Sequence, residues 1–354
     1  MPGFLLLPSV YNPTKIKNMA FADPAELAAQ CKAGDRRAAS KLISQLESTD
    51  AREAAAASRA AAALPLPGHT IGLTGPPGAG KSTLLDYLIG LYRAQGKRVG
   101  VIAVDPTSPF TGGALLGDRI RMSSHRNDAG VFIRSMGSRG ASGGLASAAS
   151  DSLRVLGGVG FEIVFLETVG AGQTETEVVN LADSVCVVQV PGLGDDIQLM
   201  KMGILEIADV FLVNKADRPG AKELKEQLEQ ALDESPGEVC RATRQLGKAQ
   251  AAGLNLEPWR PEVLLVSGLD HTGGEQSLEA LARHRAYLDQ PALAAPLKRH
   301  RIAREVIWRA TRRFGDGLTA RLAPGGADRK LIDECAEGRL DLPTLIDRLF
   351  GGAP

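Results

Sequence analysis

The stretch Thr70-Ile71-Gly72-Leu73-Thr74-Gly75-Pro76-Pro77-Gly78-Ala79-Gly80-Lys81-Ser82-Thr83 decides the fold. A short, partly β-branched apolar run ends in a turn of the form G-x-x-x-x-G-K-[ST], and residues 83–95 continue with helical composition. Strand, glycine-rich turn and helix in that order make a phosphate cradle. Backbone N–H groups turn inward around a β-phosphate, and the helix N-terminus adds partial positive charge. Lys81 reaches the β- and γ-oxygens and the Ser82 hydroxyl suits magnesium. Gly75, Pro76, Pro77, Gly78, Ala79, Gly80, Lys81, Ser82 and Thr83 are thus the candidate phosphate-binding residues, with Lys81 also a candidate catalytic group.

Outward from this stretch, short apolar runs recur at 99–104, 131–133, 163–166, 185–190, 210–213 and 263–266, most of them separated by segments of helix-like composition. That alternation predicts an α/β fold with a mostly parallel sheet covered by helices on both faces. The P-loop domain is expected over residues 65–290. Before it, residues 19–64 read as a helical segment with a break at Gly34-Asp35, closed by Pro65 and Pro67. After it, residues 291–354 read as a helical arm: Pro291 and Pro296 punctuate the boundary, Lys298–Phe314 is basic and amphipathic, and a last helical pair ends near Phe350. Residues 1–18 have no such pattern and are expected to be a floppy extension or a misassigned start.

Asn214-Lys215-Ala216-Asp217 follows the run at 210–213, at the carboxyl end of a strand, where open α/β sheets bind ligands. A carboxylate that accepts two hydrogen bonds suits the N1–H and 2-amino edge of guanine, whereas adenine offers no donor at N1. Asp217 therefore points to GTP/GDP rather than ATP, with Asn214 orienting the loop and Lys215 packing along the base. Ser267-Gly268-Leu269, after the run at 263–266, falls where a last backbone loop would meet the guanine O6. Acidic residues at or near strand ends, Asp105, Asp118 and Glu167, are candidate Mg2+ ligands beside Ser82, and Asp105 and Glu167 are also candidate catalytic groups. Ala171 occupies the position where small GTPases often carry a water-orienting glutamine, so slow unassisted hydrolysis is expected.

Bulk properties name no partner. Forty-one basic residues balance 41 acidic ones, so no overall field attracts nucleic acid or an anionic membrane. The basic segment at 298–314 carries no known nucleic-acid-binding motif, and a packing or subunit-interface role is expected rather than nucleic-acid binding. No apolar run approaches the length of a membrane span, and the four cysteines, Cys31, Cys186, Cys240 and Cys335, are far apart with no C-x-x-C pair. A cytoplasmic protein with reduced thiols is the expectation.

The ordered set resembles the MeaB/ArgK-type GTPases. The resemblance rests on residues 75–83, Val104-Asp105-Pro106-Thr107-Ser108-Pro109, residues 112–122, Phe132-Ile133-Arg134-Ser135-Met136, residues 167–175 and residues 214–217. It implies a GTPase chaperone of cobalamin-dependent acyl-CoA mutases, such as methylmalonyl-CoA mutase, that gates cofactor loading and protection. It also implies a homodimer paired through terminal helices. By the same likeness three stretches act as nucleotide-responsive switches, and in the third, residues 191–201, Gln198 and Lys201 become candidate coupling residues. A nickel-enzyme maturation GTPase is disfavoured, because no Cys/His cluster accompanies the five scattered histidines. A P-loop kinase of a small molecule or transport protein is the other alternative.

Overall fold

All seven apolar runs form strands. The structure, a computed structural model, describes residues 22–105, 123–125, 127–137, 144–168, 181–192, 204–234, 240–247, 253–254 and 256–350. Strands β1 (His69–Thr74), β2 (Val99–Asp105), β3 (Val131–Gly137), β4 (Ile163–Thr168), β5 (Ser184–Gln189), β6 (Val210–Val213) and β7 (Glu262–Leu265) make one sheet in the order β3-β2-β4-β1-β5-β6-β7. Every pairing is parallel. β1, β4, β5 and β6 are buried along their whole length, which explains apolar runs that barely alternate.

Three helices precede the sheet: α1 (Pro24–Lys32), α2 (Arg36–Leu46) and α3 (Ala51–Ala61). Each starts at an aspartate whose carboxylate accepts from an otherwise orphaned N–H: Asp23 from Ala25 at 3.0 Å, Asp35 from Arg37 at 2.7 Å and Asp50 from Arg52 at 2.8 Å. The connections carry α4 (Lys81–Ala94), α5 (Gly144–Val159), α6 (Ile204–Ile207), α7 (Ala221–Glu234) and α8 (Arg241–Leu246). After β7 come α9 (Gly274–Leu288), α10 (Pro291–Leu322), α11 (Arg329–Ala336) and α12 (Leu342–Leu349).

The pleat sorts the core into two layers. Ile102, Val164, Val187 and Phe211 face one side and pack with Leu42 of α2, Leu156 of α5 and Leu228 of α7. Their neighbours Val101, Phe165, Val188 and Leu212 face the other side, covered by Leu84 and Leu88 of α4 and Leu281 of α9. At the β3 edge, Gly130 turns its carbonyl toward Val99 of β2 at 2.8 Å, while Arg36 donates to the Ala129 carbonyl at 2.9 Å and to that of Val131. Arg134 of β3 also pairs with Glu47 just beyond α2. A guanidinium thus caps edge groups that would otherwise offer themselves to another strand.

The amino ends of β1, β5 and β6, opposite the phosphate loop, enclose a buried polar network. The Ser184 hydroxyl lies 2.7 Å from both His69 Nε2 and His284 Nδ1. Asp209 accepts from Val185 N at 2.8 Å and Arg241 Nε at 2.9 Å, and lies 3.4 Å from His284 Nε2. Asp183 accepts from Thr70 N at 2.9 Å and pairs with Arg301 at 2.6 Å and Arg285 at 3.3 Å.

Burial outweighs the attraction of Asp183 and pushes His69 down to about 4, and burial lowers His284 as well despite Asp209. Between about 6.5 and 4 the unfolded chain therefore binds more protons than the fold, so stability is intact above that window and lost as pH falls through it. His69 alone accounts for about 3 kcal/mol of the loss. Melting temperatures should accordingly drop between pH about 6.5 and 4.5, and His69→Gln, which retains a donor for Ser184, should flatten the drop. A profile without a drop would contradict this account.

At the other end of the chain α9 gives way to α10 at Pro291. Pro291 does not end an element but occupies the first turn of α10, and Pro296 lies inside that 32-residue helix. A first-turn proline lacks an N–H that had no helical partner anyway, so only Pro296 removes a bond. Arg309 ties α10 to Asp151 of α5 at 2.6 Å and to Ser58 of α3 at 3.0 Å. Away from these contacts Ile302, Val306, Ile307 and Phe314 are exposed, the last at 72%.

Candidate functional site

The chain winds outward from β1 to β2 and β3, returns through β4, and crosses β1 to reach β5. That reversal opens a crevice beyond the carboxyl ends of the strands, and the sequence motifs meet there. Gly75 has φ +141°, and a Cβ built on it would lie 2.2 Å from the Val188 carbonyl of β5, so only glycine lets the loop leave β1 this close to its neighbour. The loop curls back until α4 begins at Lys81. Lys81 Nζ donates to the Gly75 carbonyl at 2.7 Å and the Pro76 carbonyl at 3.1 Å, which places its charge across the mouth of the loop.

One residue on, the buried Ser82 hydroxyl donates to Glu167 Oε1 at 2.7 Å. β4 runs through Glu167 to Thr168, and the Thr168 hydroxyl donates to that of Thr74 at 3.0 Å, joining the ends of β1 and β4. Asp105 closes β2, the strand next to β4, in register with Gly137 of β3. Asp118, Gln198 and Lys201 lie outside the described residues.

Two further loops arrive from β6 and β7. Asn214 is buried and bridges both neighbours: its Nδ2 donates to the Ala79 carbonyl at 2.8 Å, and its Oδ1 accepts from Gly268 N at 3.1 Å. Lys215, at φ +60°, lays its stem along the phosphate loop and donates to the Gly78 carbonyl at 2.8 Å. Asp217 is exposed, with Oδ1 3.5 Å from the Ser267 hydroxyl, which donates more closely to Asp270 at 2.7 Å. Gly268, where alanine is the more usual residue, rests on α4: a Cβ there would come 2.8 Å from the Leu84 backbone. Leu269 projects from the loop, 81% exposed.

The structure therefore gathers the phosphate loop, Glu167, Asn214–Asp217 and Ser267–Leu269 around one crevice, with the end of β2 on its flank. An anion there would meet loop N–H groups, the start of α4 and the Lys81 ammonium. Sequence reading missed the Thr74–Thr168 pair, the competition of Asp270 for Ser267, and Tyr87. The Tyr87 ring stacks on His271 with centroids 4.7 Å apart and planes 4° apart. Only the Gly273-Gly274 pair, a cue for tight backbone approach, hinted that this loop is pressed against a helix.

The chain is similar to several known proteins. A Pyrococcus horikoshii protein is 46% identical over 283 residues, covering 79% of this chain and 84% of that one. The GTPase ArgK of Escherichia coli is 34% identical over 260 residues, covering 73% of this chain and 74% of its own. Among solved structures, a LAO/AO transport system kinase superposes with a TM-score of 0.58 at 24% identity, covering 97% of this chain and 99% of that one, a likeness of fold. The family described as methylmalonyl-CoA mutase-associated GTPase MeaB matches residues 39–321. With this match over most of its length and relatives of that identity, the chain belongs to the MeaB family of GTPases.

Proposed function

We propose that the protein binds GTP with Mg2+, hydrolyses it slowly alone, and uses the cycle to gate cofactor loading and protection of a cobalamin-dependent acyl-CoA mutase. The observation that carries the nucleotide part is the Asn214 bridge, which ties the base-reading loops to Ala79 of the phosphate loop. Base recognition by Asp217 is thereby mechanically continuous with the phosphate grip. The mutase part rests on the family, whose printed description names methylmalonyl-CoA mutase.

The residues divide the work by their chemistry. Gly75–Thr83 hold the phosphates, with Lys81 placed to balance charge that develops on the β–γ bridge. The Ser82 hydroxyl and the Glu167 carboxylate, 2.7 Å apart, form an all-oxygen pair that fits a hard divalent cation, and Asp105 and Asp118 are further candidates. Bound Mg2+ would draw negative charge off the phosphate oxygens. Asp217 reads the guanine edge, and Ser267, Gly268 and Leu269 close over the base. Gln198 and Lys201 relay nucleotide state to the mutase, and the exposed stripe of α10 pairs with a second copy.

The test is phosphate release from radiolabelled GTP by purified protein, with and without the cognate mutase. Stimulation by the mutase is expected, and Gln198→Ala with Lys201→Ala should abolish the stimulation while leaving GTP affinity within a few-fold. Label transferred to a small-molecule or protein acceptor would overturn the switch in favour of a kinase. Stimulation of the double variant as strong as wild type would remove the relay role.

A further inference from the structure

The loop from Ser267 to Thr272 closes on itself, with Ser267 N bonded to Thr272 O at 3.0 Å and Thr272 N to Ser267 O at 3.1 Å. Asn214 holds its start at Gly268 N, and the rest of the loop leans on one helix. Gly268 lies against the backbone of Leu84, and one turn further along α4 the Tyr87 ring stacks on His271 while its hydroxyl donates to the His271 carbonyl at 2.8 Å. His271 has φ +55°, an uncommon conformation for a non-glycine residue, inside the tight turn that Ser267 and Thr272 close. Tyr87 packs against that turn.

Spacing gives the contact its meaning. Lys81, Leu84 and Tyr87 recur every third residue on α4, so they lie along one side of the helix. The helix that begins with the phosphate lysine is also the wall on which the base loop leans. From this juxtaposition we infer that Tyr87 is a positioning residue for the guanine-binding loop: through His271 it fixes the distance between Ser267–Leu269 and the phosphate grip, and so contributes to affinity for the base without touching the phosphates. This rests on the nucleotide reading given above and deepens it.

Loss of the hydroxyl alone, in Tyr87→Phe, removes one neutral hydrogen bond and should raise the GDP dissociation constant about 3–10-fold through faster release. Tyr87→Leu removes the stack as well, and the loss should grow to roughly 10–50-fold. Two readouts separate positioning from general loosening. Inorganic triphosphate with magnesium, a probe with no base, should keep its own dissociation constant in the variants within about twofold of that in the unmodified chain. GTP turnover at saturation should also stay within about twofold, so that the effect falls on KM rather than kcat.

The inference is overturned if Tyr87→Leu binds GDP as tightly as wild type, or if triphosphate weakens by the same factor as GDP, since the helix rather than the loop would then have moved. Tyr87→Phe, which keeps the ring, guards against a variant that fails to fold. An unmodified chain with no affinity for GDP would overturn the nucleotide reading itself, a result distinct from either.

Discussion

Lys81→Ala is expected to lower single-turnover GTP hydrolysis by roughly 10²–10³-fold, the range seen when one preorganised donor to developing negative charge is removed. The structure gives the reason for so large an effect from one side chain. Lys81 stands at the first position of α4, buried, with its ammonium 2.7 Å from the Gly75 carbonyl, so the charge is held in place before any phosphate arrives. Little reorganisation remains to be supplied during the reaction. Rapid-quench measurement of phosphate release reports the step, and a melting curve on the same preparation shows whether the loop still folds. Hydrolysis within tenfold of wild type would remove Lys81 from the chemistry.

The second large effect concerns the base. Asp217→Asn should weaken GTP binding by roughly 10–10²-fold, the worth of hydrogen bonds to a charged acceptor, and raise affinity for xanthosine triphosphate. An amide presents a donor where guanine also presents one, and xanthine supplies the missing acceptor. Asp217 is exposed and its Oδ1 is no closer than 3.5 Å to the Ser267 hydroxyl, so the exchange of oxygen for nitrogen should not disturb the loop. Competitive titration of the two triphosphates decides the matter. Unchanged GTP affinity would mean that another group reads the base.

These two residues stand out in the sequence because each belongs to a motif whose chemistry demands neighbours in sequence. The sheet was legible for a different reason: strands buried on both faces must be apolar nearly throughout, and Val185–Val190 or Val210–Val213 could hardly be anything else. Contacts between motifs carry no such signature. Nothing near Asn214 announces that its amide joins Ala79 to Gly268. The His69–Ser184–His284 chain is assembled from β1, β5 and α9, and single polar residues that far apart have no period to detect. Asp209 did leave a trace, since it is an acid set directly before the wholly apolar strand β6, where a carboxylate must find partners to be buried. Pro296 reads as punctuation yet lies inside α10: it removes one hydrogen bond, a loss that a 32-residue helix tied to Asp151 and Ser58 through Arg309 tolerates.

The place of β1 in the sheet has a consequence for how the chain is made. Its partners are β4 and β5, with His69 in register with Ile163 and Ile71 with Ser184. A ribosome adding about 5–20 residues per second delivers those partners roughly 5–20 s after β1 has emerged. For that interval Ile71 and Leu73 have no strand beside them, and only the local β2–β3 ribbon and the leading helices can form early. The strand that bears the glycine-rich loop is thus the first strand synthesised, and it is seated only when the fourth and fifth have arrived. On the proposed function, guanine nucleotide would rely on Asn214 and Gly268 as well, and so would reward only a chain translated past β7.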